Sequence, residues 1–239
     1  MSIINTIRKI TPNTLTSCNL ISGCVATVYA LSGNARMALL WIIVGAVFDF
    51  FDGMSARLLK VSSPIGKELD SLADDVTFGV APSAIIFAEL KVMDYPSAIE
   101  SWRTFLPYIA FVMAAFSALR LAKFNLDERQ TTSFIGLPTP ANALFWGSLL
   151  ATRLDWIESS TIMLPVVVAM MLVSCWLLVC ELPMFALKFK HWSWHGNEIK
   201  YGFAIFSLVC IVAFGPLSSF WAIILAYIVV SAAVATKHN

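Results

Sequence analysis

Eight apolar stretches follow one another along the chain, at roughly 15–32, 37–54, 71–90, 105–122, 136–152, 162–180, 200–214 and 217–235. A helix needs ~20 such residues to cross the hydrocarbon core of a bilayer. Inside that core every backbone N–H and C=O must find its partner within the protein, which leaves helices as the economical solution. The expected fold is therefore all-α: a polytopic integral membrane bundle of about eight transmembrane helices, the fifth and seventh short. Only 13% of the residues are charged and the mean hydropathy is +0.78, against about 25% charged in an ordinary soluble domain. No polar run is long enough for a second domain, so residues 1–239 read as one membrane domain.

The basic residues give the orientation. With the N-terminus in the cytoplasm, Arg8, Lys9, Arg57, Lys60, Lys67, Arg120, Lys123, Arg129, Lys188, Lys190, Lys200 and Lys237 lie inside, and only Arg36, Lys91, Arg103 and Arg153 lie outside. That is the bias expected of short cytoplasmic loops, and an even span count puts the C-terminus on the same side. Ahead of the first span, "IINTIRKI" reads either as a short amphipathic interfacial helix ending at Pro12 or as an ordinary basic flank. Trp192 and Trp194, beside His191 and His195, read as an interfacial aromatic anchor. A net charge of +1 excludes a nucleic-acid binder. The five cysteines are scattered, form no CxxC pair, and read as apolar fillers.

Against this background the segment "DFFDGMSARLLKVSSPIGKELDSLAD", residues 49–74, stands out. Asp49 and Asp52 are three apart near the end of span two, and Asp70 and Asp74 are four apart at the start of span three. Each pair shares one helix face. Pro64 and Gly66 let the chain turn back, so the two acidic faces can oppose each other. Carboxylates at close range repel unless a cation sits among them, and hard divalent cations take oxygen ligands. Magnesium, manganese or calcium would suit, and two ions would use all four aspartates. The plainer alternative is helix capping, which Asp70 or Asp74 could do alone. Gly53 and Ala56 present no bulk, and Arg57 offers a planar fork, so a phosphoryl or pyrophosphate group can approach closely.

Asp49-x-x-Asp52-Gly53-x-x-Ala56-Arg57, eight residues, then Gly66-x-x-x-Asp70-x-x-x-Asp74 resembles the complete motif of the CDP-alcohol phosphatidyltransferase family, with no position departing from it. Span layout resembles the family over most of the chain. The flanks "TPNTLTSCNLISG" (11–23), "SPIGKELDSLADDVTFGVAP" (63–82), "ALRLAKFNL" (118–126) and "SFIGLPTPANA" (133–143) are similar to the branch whose acceptor alcohol is serine. The resemblance implies a divalent metal on Asp49, Asp52 and Asp70, with Asp74 at its edge and acting as general base. It implies CDP-diacylglycerol and L-serine as substrates, phosphatidylserine and CMP as products, a homodimer, and an active site on the cytoplasmic side of a bacterial inner membrane. Gly53, Ala56 and Gly66 would line the cytidine–ribose side, with Arg57 close to it.

Further residues are drawn in with plainer alternatives beside them. Asn19 and Gly23, four apart on span one, would contact the nucleotide, or Asn19 would bond between helices. Arg120 and Lys123 put positive charge at the inner end of span four, for a phosphate or for the carboxylate of serine. Arg120 is favoured because its fork can hold a carboxylate bidentately; the alternative for both is a positive-inside flank. Gly136, Pro138 and Pro140 would wall the site or simply start span five. A relative using glycerol-3-phosphate or an inositol compound would want a further basic cluster; the inner loops carry modest charge, which agrees better with serine. A cation-coupled transporter could use intramembrane aspartates, but Gly53, Ala56 and Arg57 would then be unexplained.

Overall fold

A computed structural model describes residues 3–61, 63–127, 134–152, 161–185, 193–195 and 197–237. The helices are α1 (Ile3–Leu31), α2 (Ala35–Leu59), α3 (Pro64–Asp75), α4 (Ala81–Val92), α5 (Val112–Leu126), α6 (Thr139–Ala151), α7 (Met163–Val179), α8 (Glu198–Phe214) and α9 (Phe220–Lys237). A π-helical turn, Val76–Val80, joins α3 to α4 in one continuous rod, and a 3-10 segment, Leu106–Phe111, leads into α5. His191 and Trp192 lie outside the described residues.

Four helical rods are long and apolar enough to cross a membrane: Ile10–Leu31, Ala35–Leu59, Pro64–Val92 and Leu106–Leu126. Met163–Val179 and Phe220–Thr236 are apolar but shorter. Helix α6 has 13 residues, or about 20 Å of helix against the ~30 Å of a hydrocarbon core. Just ahead of it, Phe134–Ile135 pairs antiparallel with Pro183–Met184 as a two-residue ribbon, a β element that apolar periodicity did not foresee. Gly136 leaves that ribbon at φ +74, with Leu178 and Cys180 carbonyls 2.9 and 3.0 Å from where a Cβ would stand.

The breaks between the first three rods are written in local chemistry. Gly33, at φ +75, ends α1, and the Asn34 side chain accepts from Met37 N–H to start α2. Lys60 ends α2 in the left-handed conformation. Ser63 caps α3 by accepting from Gly66 N–H at 2.9 Å, with Pro64 in the first turn. Helix α1 is not ended by Pro12, contrary to the short-helix expectation; it runs through it, and Thr16 donates to the Pro12 carbonyl at 3.0 Å.

Helix α1 packs along α2 and against α3 and α4, while α6 fits between α2, α4 and α9. Small residues permit the closeness: Ala26, Ala30, Ala38, Ala81 and Ala84 are all buried around Ile42, Phe78, Ile85 and Trp146. Large apolar side chains such as Val28, Leu208 and Val212 point outward, as they do where the solvent is lipid.

Candidate active site

The α2–α3 hairpin sets the acidic residues opposite one another. One carboxylate oxygen each of Asp49, Asp70 and Asp74 lies within 4.8 Å of the other two. Asp49 stands well inside α2, which runs on to Leu59; Asp70 stands inside α3, which begins at Pro64, and Asp74 stands in its last turn, before the π turn that continues the rod. Helix α3 is capped by Ser63, so neither Asp70 nor Asp74 serves as its cap. The end of span two, where the sequence puts Asp49, is thus not the end of α2, because the polar end of the helix continues beyond the apolar run that marks the span.

Three carboxylates so placed repel by about 3 kcal/mol per pair at an effective dielectric near 20. The protein supplies little to offset this. Asn19, fully buried on α1, donates from Nδ2 to Asp74 Oδ1 at 3.0 Å. Asp70 Oδ1 is buried without a hydrogen-bond partner. No Lys or Arg forms an ion pair with the trio among the described residues. An all-oxygen donor set with an orphaned buried oxygen fits a hard divalent cation.

Asp52 lies outside this trio but close enough to interact electrostatically with each of its members. It is buried and accepts from Thr16 Oγ1 at 2.7 Å. Together with Asp70 it lines a cavity of about 520 Å³ whose walls also include Asn13, Thr16, Gly53, Ala56, Arg57, Lys60, Gly66 and Lys67. The sequence-derived set Asp52, Gly53, Ala56, Arg57, Gly66 and Asp70 thus converges on one cavity. Arg57 bonds the Gly53 carbonyl of its own helix through Nε at 2.9 Å, and the space over Gly53 is open. At Gly66 a Cβ would stand 2.9 Å from Ser63 Oγ and 3.1 Å from Asn13 Oδ1, so glycine there lets α3 approach α1. Asn13, Thr16, Lys60 and Lys67 were not singled out from the sequence. The first two lie in "TPNTLTSCNLISG", which reads in the sequence only as a flank similar to the family's serine branch.

Three expected residues lie elsewhere. Gly23 packs under the π turn: a Cβ there would collide with Thr77 Oγ1 and come within 2.8 Å of the Thr77 Cα. Thr77 in turn donates to the Asn19 carbonyl at 3.0 Å, so Gly23 supports Asn19 from behind. Arg120 and Lys123 line a separate small cleft of about 50 Å³ with Asp127, Ile135, Leu178, Val179, Cys180 and Glu181. Buried Arg120 donates from Nε to the Leu137 carbonyl at 3.0 Å and lies over the Phe124 ring.

Known proteins share this arrangement of sequence. The model of the family described as CDP-alcohol phosphatidyltransferase matches residues 9–187, about three quarters of the chain and all of the acidic hairpin. The chain belongs to the CDP-alcohol phosphatidyltransferase family. With its four long apolar rods, this family member is an integral membrane protein. Its relatives include a CDP-diacylglycerol–serine O-phosphatidyltransferase of Bacillus subtilis, 41% identical over 133 residues, covering 54% of this chain and 68% of that one. A Mycobacterium leprae protein of the same name is 34% identical over 155 residues, covering 62% of this chain and 49% of the relative. One from Saccharomyces cerevisiae is 38% identical over 138 residues, covering 52% and 46%. The matched stretch thus spans about two thirds of the Bacillus protein and about half of the other two.

Proposed function

We propose that the protein transfers a phosphatidyl group from CDP-diacylglycerol to the hydroxyl of L-serine, releasing CMP and phosphatidylserine. The observation that carries this reading is the convergence of Asp49, Asp70 and Asp74, with an orphaned buried oxygen, beside a cavity walled by the rest of the family motif. The serine acceptor is supported by relatives from three genera that bear that name.

Asp49, Asp70 and Asp74 would hold a divalent cation, magnesium or manganese, and a second ion would engage Asp52 and Asp70 where they face the cavity. Bound there, such cations neutralise the pyrophosphate and the departing CMP. The open backbone at Gly53 and the small Ala56 leave room for the cytidine and ribose, with Gly66 on the opposing helix. Arg57, Lys60 and Lys67 bring positive charge to the same cavity. Asp74, oriented by the Asn19 amide, takes the proton from the acceptor hydroxyl. The oxygen then forms a bond to the lipid-bearing β-phosphorus while the bond from that phosphorus to the CMP oxygen breaks. Direct attack requires no covalent enzyme intermediate; what the fold supplies is proximity and charge placement.

The shorter apolar helices would complete a bundle of about eight spans with both termini and the acidic hairpin facing the cytoplasm of a bacterial cell, and the protein would act as a homodimer. The positive-inside bias supports that orientation. CMP release by the purified protein, with CDP-diacylglycerol, manganese and one acceptor at a time, tests the reading. Release with serine and none with glycerol-3-phosphate or myo-inositol is the expected result. Release with glycerol-3-phosphate alone would keep the reaction class and overturn the acceptor.

A further inference from the structure

Helix α3 carries two of the three clustered carboxylates, yet it has little apolar grip on the protein. Ala73 is its one buried residue, and Ile65 and Leu72 are 75% and 65% exposed. Its C-terminal end is held by the buried continuation through Val76–Val80 into α4, while toward its N-terminal end the contacts that hold its rotation are largely polar. Two polar stripes run along it, each with the four-residue spacing that keeps side chains on one face. Gly66, Asp70 and Asp74 form the stripe toward the site. Lys67, Ser71 and Asp75 form the next one, toward α5.

The second stripe meets Asn125, in the last turn of α5. Asn125 Nδ2 donates to Ser71 Oγ at 2.7 Å, and the Asn125 carbonyl accepts from Lys67 Nζ at 3.0 Å. One residue thus binds two successive turns of α3 on the face beside the carboxylates. One turn further along, Asp75 Oδ1 and Ser117 Oγ of α5 crowd against Gly79, 2.5 and 2.8 Å from where its Cβ would stand. A small turn of α3 would carry Asp70 and Asp74 away from Asp49, which is fixed on α2. Ligand geometry of this kind depends on the groups that hold the ligands.

We propose that Asn125 is a positioning residue: by gripping Ser71 and Lys67 it fixes the rotation of α3 and so sets the affinity of the Asp49–Asp70–Asp74 trio for a divalent cation. This rests on the reading of the trio as a cation site. It concerns cation binding and is independent of which alcohol accepts the phosphatidyl group.

The test is direct manganese binding to the purified protein without substrate, read from the electron paramagnetic resonance of free Mn2+. Asn125→Ala removes the side-chain bond and keeps the carbonyl, and Ser71→Ala removes the same bond from the other side. Each is expected to weaken binding about fivefold, the equivalent of one hydrogen bond, with the double variant no worse than either. Ser174→Ala, which breaks the remote Trp146–Ser174 bond, is expected to lower thermal stability and leave Mn2+ affinity unchanged. Unchanged affinity in folded Asn125→Ala and Ser71→Ala, or an equal loss in Ser174→Ala, would overturn the proposal. Asp70→Asn separates the two layers. If it loses binding while the Asn125 and Ser71 variants do not, the positioning role alone fails. If it binds as the wild type does, the cation reading fails and takes this inference with it.

Discussion

Two regions among the described residues bury charged side chains and treat them differently. Around the α2–α3 hairpin, Asp49, Asp70 and Asp74 crowd together, and Asp70 Oδ1 and Asn19 Oδ1 find no partner. Around the start of α6, buried Arg120 is taken up by the protein itself: its Nε bonds the Leu137 carbonyl and its guanidinium lies over Phe124. The Leu137 N–H is in turn bonded to the Leu177 carbonyl at 2.8 Å, which ties α5, the ribbon and α7 together. A buried charge that the fold satisfies is bracing; a cluster of carboxylates with too few donors costs stability and fits a cation that arrives later. A single neutral oxygen without a partner, such as Asn142 Oδ1 in α6, does not carry that reading. On that contrast the hairpin is the candidate reaction centre that we propose, and the Arg120 cleft is read as a brace.

The contrast breaks most visibly at Asp74. Asp74→Asn keeps the shape and removes the proposed base, so serine-dependent CMP release should fall by about 10³-fold with the fold retained, as circular dichroism and thermal unfolding would report. A variant with near-normal turnover would remove Asp74 from the chemistry. Next in size is Gly23→Ala. A methyl group there strikes Thr77 and displaces the element that supports Asn19, and a misplacement of about 1 Å costs on the order of 10²-fold in turnover. Equal losses of substrate affinity and of turnover would instead suit a nucleotide contact at Gly23.

Arg120→Leu sharpens the other half of the comparison. It should destabilise the protein by about 2 kcal/mol, by stranding the Leu137 carbonyl, while the folded fraction keeps its Michaelis constant for serine within about twofold. A large rise in that constant with stability unchanged would make the cleft a subsite for the serine carboxylate. The smallest effect is expected at Thr16→Val, which deprives Asp52 of its 2.7 Å hydrogen bond; activity should fall about fivefold with little change in unfolding temperature.

Much of the site was legible because its residues lie close in sequence. Asp49, Asp52, Gly53, Ala56, Arg57, Gly66, Asp70 and Asp74 occupy 26 residues, and helical spacing alone puts them on facing surfaces. Helix extents were less legible. Hydropathy marks where a helix lies in lipid, not where it ends, so the polar extensions of α2 to Leu59 and of α3 back to Pro64 went unread. The ribbon beside α6 was hidden because its partners, Phe134–Ile135 and Pro183–Met184, are distant in the chain. The same distance concealed the partnership of Ser71 with Asn125 and of Thr16 with Asp52. Arg120 is favoured in the sequence because its fork can hold a carboxylate, but that chemistry alone does not tell a ligand-binding arginine from one that braces a turn.

The most direct test of the account titrates manganese against serine-dependent CMP release, with the wild type beside Asp70→Asn. The account predicts saturable cation dependence in the wild type, and no release by the variant at any cation concentration while it remains folded. Release that persists in the presence of a chelator, or that survives in Asp70→Asn, would contradict it.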